Sequence, residues 1–322
     1  MIDEWPRDLI DLLVSPSATE PVAIWIGAGL AAELGYPLIR QLVERLVTEC
    51  QDAGCGAADV QQARDLLHKT GNYRMATEQC WESLNDPPRF LQVLVEQFSL
   101  REEEEKETGV RACENMLKTP FDTYVTTNYN TSLSRVARQL AKQDQAYQVS
   151  DVVYPYVDPS KLRERCIHYI HSNVTQADHI ILRESAFLEA YADGSPLPEF
   201  LGHLFATHNL VFVATDARDD PILWILDRMQ RIFQRSVPPV PKKKRYILLP
   251  FTEHGPPTIH ALQRTYGIEP VWFSVEYQTV DRNDTSSHRI EDWGRLYELL
   301  GDLREQTEGR WRAEQVPEPT TP

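Results

Sequence analysis

The chain has 322 residues, enough for one large α/β domain or two small ones, and 42% of them are apolar, enough for a sizeable core. A formal net charge of -15 argues against a general nucleic-acid binder, which needs a basic face. The five cysteines form no C-x-x-C pair, so the usual structural zinc signature is missing, and their odd count suits reduced, intracellular thiols.

No apolar run reaches the length of a membrane span, and the acidic, amphipathic start "MIDEWPRDLIDLL" is unlike a secretory signal. A soluble cytoplasmic protein is expected, with no membrane contact and no direct nucleic-acid binding.

The first strand candidate is Val22 to Ile26, and it breaks into Gly27-Ala28-Gly29 before a helical pattern. Ala32 completes a G-x-G-x-x-A turn. Gly27 would permit the tight turn, and Gly29 would let the backbone approach a pyrophosphate at a helix N-terminus. Any tight strand-to-helix turn also wants glycine, so both readings stand at this point. The next helix places Leu38, Leu42 and Leu46 with Val43 and Val47 on one face. No acid-ended second strand follows, which counts against an ordinary hydride-transfer enzyme.

From about 56 to 118 the pattern is helical without a convincing strand, a candidate helical insertion. Within it, the acidic run "REEEEKE" (101–107) reads as a solvated face. Further strand candidates follow at Tyr124 to Thr127, Ile167 to Ile170, Leu210 to Ala214, Tyr246 to Leu249 and Val271 to Val275. Lys242 to Lys244 read as a charged loop before one of them. Continuous apolar strands alternating with helices predict an α/β fold: a Rossmann-like parallel sheet with helices on both faces. The expected organisation is one domain over 1–305 and a disordered polar tail over 306–322.

Two polar residues stand just beyond strand candidates, where open α/β sheets bind ligands: Asn128 and His171. Asn128 could instead cap the helix beginning at "TSLSRVARQL". His168, three residues before His171, is expected to be a buried structural histidine.

Four segments in order carry a family resemblance. "GAGLAAELGYPLIR", "YVTTNYNTSL", "IHYIHSNVTQADHIILRESAF" and "LFATHNLVFVATDARDDPIL" resemble the signature segments of the sirtuins. The resemblance spans about Val22 to Leu303. The group most similar is the zinc-free, sirtuin-like proteins of bacterial anti-phage defence. It implies a sirtuin-like fold without a zinc module and an NAD hydrolase (NADase) that releases nicotinamide and ADP-ribose, with NAD as substrate and no metal.

By the same resemblance, Asn128 and His171 are the catalytic pair. Gly27, Ala28, Gly29, Leu30, Glu33, Arg40, Thr127, Ala214, Thr215 and Asp216 line the nucleotide. It also implies gating by homo-oligomer assembly or by a partner such as a HerA-type ATPase. The sequence departs from the family's pattern at Ala31, Asn130, Ser172, Ala214 and Asp216, where the pattern has Ser, Asp, Gly, Gly and Ser. Those departures motivate a second expectation, a catalytically degenerate nucleotide-binding or scaffold subunit of a defence complex.

Overall fold

The structure is a computed structural model that describes residues 3–14, 20–99, 102–215, 226, 243–251, 262–274 and 294–315. Its first half runs α1 (Arg7–Val14), β1 (Val22–Ile26), α2 (Ala28–Leu34), α3 (Ile39–Asp52), α4 (Ala57–Lys69), α5 (Tyr73–Leu84), α6 (Pro87–Gln97) and α7 (Glu107–Lys118). There follow β2 (Thr123–Thr126), α8 (Ser132–Gln143), β3 (Ser150–Val153), β4 (Cys166–Tyr169), α9 (Glu184–Ala190), α10 (Pro196–Thr207), β5 (Asn209–Val213), β6 (Arg245–Pro250), β7 (Ile268–Phe273) and α11 (Gly294–Gln315).

The strands form one seven-stranded sheet in the order β3-β4-β2-β1-β5-β6-β7, and every pairing is parallel. Parallel strands buried on both faces read as unbroken apolar runs. β1, "VAIWI", is the plainest case, with all five residues buried. Val22, Ile24 and Ile26 enter a core shared with α1, α3, α7, α8 and α11. Ala23 and Trp25 face the opposite core, built with Phe200, Leu204 and Phe205 of α10. The Rossmann-like sheet with helices on both faces is therefore as expected.

β3 was not foreseen. Its burial pattern, exposed at Ser150 and Asp151, is that of an edge strand, which carries no continuous apolar run. Helices α4 to α7 occupy the stretch between β1 and β2 where an insertion was expected. The final helix continues through Gln315, well into the stretch expected to be a disordered tail. Val275, the end of the last strand candidate, lies outside the described residues, as does Lys242.

Lys243 and Lys244 pair with Glu20 (3.5 Å), just before β1, and Asp8 (2.5 Å) of α1, so this part of the basic run ties the start of β6 to both. One acidic residue overturns its expected role. Glu103 and Glu104 are exposed, but the Glu105 side chain is only 2% exposed. Its carboxylate accepts from the Tyr36 hydroxyl (2.9 Å) and the Ser132 hydroxyl (2.6 Å) and pairs with Arg135. The expectation of a solvated face fails there because three donors converge on one buried acceptor.

Candidate active site

The site is built where the chain changes direction across the sheet. From β1 the chain moves to β2, β3 and β4 on one side, then returns to β5 on the other, so the switch point lies between β1 and β5. Ligands of open α/β sheets bind in the crevice outside the carboxyl ends of strands at such a point. Gly27, Asn128, His171 and Ala214 each follow a strand end, on the four adjacent strands β1, β2, β4 and β5.

The two glycines are required by close approach. A Cβ at Gly27 would lie 2.4 Å from the Ala214 carbonyl oxygen and 2.6 Å from Thr215 Oγ1; one at Gly29 would lie 3.0 Å from Ala214. The Gly27 and Gly29 N–H groups donate to the carbonyls of Val213 and Ala214, both at 2.9 Å. The turn is thus fastened to the end of β5 by the amides that a phosphate would otherwise contact. Ala28 is exposed beside them, whereas the Leu30 side chain is buried beneath the turn.

Asn128 does not cap the following helix. Its Nδ2 donates to the Gly27 carbonyl at 3.0 Å, tying the end of β2 to the turn after β1. Helix entry is served by Asn130, whose Oδ1 accepts from the Ser132 N–H at 3.2 Å. The Asn130 Nδ2 is buried without a partner; the aspartate of the family pattern would carry no such donor there. Thr127, immediately before Asn128, is half-buried.

His171 lies past the last residue of β4 and is not part of the strand that carries His168. His168 is fully buried against Phe200, with ring centroids 4.8 Å apart, and is a structural residue of the sheet. The His171 Nε2 meets the Tyr191 hydroxyl at 2.8 Å. Burial, and then the Arg74 guanidinium, push the His171 pKa down to about 3, so the imidazole is neutral near pH 7.

Not every expected residue is brought to this edge. Arg40 is engaged on the exposed surface of α3 and α4, with Glu44 (3.3 Å) and His68 Nδ1 (3.0 Å). Glu33 accepts from the Thr108 hydroxyl at 2.5 Å, linking α2 to α7. Thr215 is buried, and its hydroxyl donates to the Val213 carbonyl at 3.1 Å. Asp216 lies outside the described residues. Sequence reasoning missed Tyr191 and Glu105, because each contact spans a stretch of chain that carries no local signal of it.

The fold defines a parallel α/β protein whose glycine turn, Asn128 and His171 stand at strand ends beside its switch point. Residues 122–271 match the family model described as "SIR2-like domain". That stretch, which includes Asn128 and His171, is thus similar to a SIR2-like domain, in line with the sequence resemblance. It is 22% identical over 242 residues to the "NAD(+) hydrolase ThsA" of Bacillus cereus (strain MSX-D12), an alignment covering 75% of this chain and 46% of that protein. The chain therefore spans about half the length of this relative. A solved chain described as "Structural Basis for the Mechanism and Regulation of Sir2 Enzymes" superposes with a TM-score of 0.42 and 11% identity, covering 95% of this chain and 98% of that one.

Among the described residues, no group of three or more His, Cys, Asp or Glu could hold a metal ion. No helix among them is long and apolar enough to cross a membrane.

Proposed function

We propose that the chain hydrolyses NAD to nicotinamide and ADP-ribose. The observation that carries this reading is the convergence of the Gly27 turn, Asn128 and His171 at neighbouring strand ends beside the switch point. Breaking a nicotinamide–ribose bond builds positive charge on the sugar carbon, which water must then reach. A side-chain amide such as Asn128 can orient that water and hold the ribose. A neutral imidazole such as His171 can accept its proton. Exposed Ala28, half-buried Thr127 and the Ala214–Thr215 segment are the surfaces against which the nucleotide would lie.

An unrestrained NADase would deplete the cell, so activity gated by self-assembly or by a partner, such as a HerA-type ATPase in an anti-phage system, belongs to the same proposal. The test follows nicotinamide release by the wild type and by Asn128→Ala and His171→Ala, each alone and with the products of neighbouring genes. Release by the wild type, reduced at least about 100-fold in either variant with folding retained, is the expected result. NAD left intact by the wild type under every condition would remove the hydrolase reading.

The fastened glycine amides and the depressed His171 favour one second reading, a nucleotide-sensing or scaffold subunit without turnover. In that case both variants retain biological function.

A further inference from the structure

His171 is covered by a small element held from outside. α9 buries only Ala190 among its own side chains, so apolar packing contributes little to its position. Its fasteners are polar contacts to α5. Arg74 Nε pairs with Glu184 at 3.1 Å, and the Arg74 guanidinium lies 4.0 Å from the Phe187 ring centroid. Glu78 accepts from the Ser185 N–H at 2.8 Å and pairs with Arg183 at 3.3 Å. Arg183 in turn lies 3.9 Å over the Trp81 ring. Phe187 stacks on Tyr191 at 4.3 Å, which carries the clasp to the hydroxyl that meets His171.

We propose that α9 is a latch across His171: Tyr191 occupies the imidazole Nε2, the clasp to α5 keeps it there, and release of the clasp frees the imidazole. The proposal rests on the reading of His171 as the proton acceptor of the site. Under the closed latch a buried imidazole is too weakly basic to work near neutral pH, and exposure to water returns it toward its ordinary value. The clasp is suited to opening. The four charged side chains are 16–26% exposed, so each pair is modest and separable without unfolding the sheet. The device lies within one chain, and a partner or a second copy that engages α5 would act on His171 through it.

The test uses the full chain with Glu78→Ala, which removes both Glu78 contacts, and Tyr191→Phe, which keeps the ring and deletes the hydroxyl. In Glu78→Ala, amide exchange over 184–191 is expected to accelerate at least about tenfold while exchange in the sheet stays as in wild type. The His171 ring titration, followed by NMR, moves up by about one pH unit or more, although the substitution removes a negative charge. In Tyr191→Phe the His171 ring signals shift and its titration rises without faster exchange in the sheet; this variant decides the matter if Glu78→Ala fails to fold.

Unchanged exchange over 184–191 and unchanged His171 titration in both variants would overturn the latch. So would loss of nicotinamide release by a variant whose His171 has been freed, since α9 would then be holding the imidazole in its working position. If His171 is freed but NAD stays intact in wild type and variants alike, the hydrolase reading fails and the latch stands.

Discussion

Two substituted glycine positions show how single residues hold this site. Ser172 and Ala214 stand where the sirtuin pattern has glycine, and both adopt left-handed backbone, with φ of 65° and 55°. A Cβ is unfavourable there, so the two loops keep a glycine-type path while carrying side chains that oppose it. Ser172 recovers something through its hydroxyl, which donates to the Gln176 carbonyl at 3.0 Å. Ala214 has no such bond, and its Cβ lies 3.0 Å from a Cβ built on Gly29. Ala214→Gly is therefore expected to raise stability by about 1 kcal/mol in urea unfolding, with an unchanged m-value. A fall in stability would mean that the Ala214 methyl packs more favourably than its backbone is strained.

At the scale of elements, the glycine turn illustrates what local sequence can and cannot settle. Its strand–turn–helix form was legible, because a buried apolar run followed by Gly-x-Gly admits little else. What the glycines do was not legible, since the answer lies on β5, far along the chain: its end packs where a side chain would be. The acidic run teaches the converse. Composition placed it in water, yet Glu105 turns inward to join the segment after α2, α8 and its own loop through Tyr36, Ser132 and Arg135. Glu105→Ala removes the buried acceptor shared by an arginine and two hydroxyls, and should cost about 3 kcal/mol by thermal or chemical unfolding. A cost below about 1 kcal/mol would show that water replaces the carboxylate and that the hub is not structural. The missed strand β3 has a comparable cause, being short, polar and exposed at the sheet edge.

For the whole molecule, burial of histidines sets an acid limit. His168 and His208 are pushed down to about 4 and His171 to about 3, chiefly by desolvation. Their folded values lie below the unfolded value of about 6.5, so the contribution is fully present above that pH and is lost as pH falls through 4 toward 3. Asp122 and Asp151, raised by burial, act in the opposite sense and recover part of the loss near pH 4. Stability measured from pH 7 down to pH 4 should therefore drop by several kcal/mol. His168→Phe, placed against Phe200, should flatten the drop. An equal slope in that variant would assign the loss to other groups.

The register of the sheet sets the order in which the molecule can be made. β1 pairs with β5 residue for residue, from Val22 with Asn209 to Ile26 with Val213, so the two walls of the crevice are contributed by distant parts of the chain. At about 5–20 residues per second of synthesis, β1 waits on the order of ten seconds or more for β5 to emerge. In that interval α3 to α7, β2 and β4 can gather through more local contacts, and Asn128 and His171 exist without the Ala214 wall. The candidate site is complete only when β5 docks, so a chain arrested before that point carries Asn128 and His171 without the strand end that faces the glycine turn. In the history of each molecule, that edge waits on a strand made long after the turn it completes.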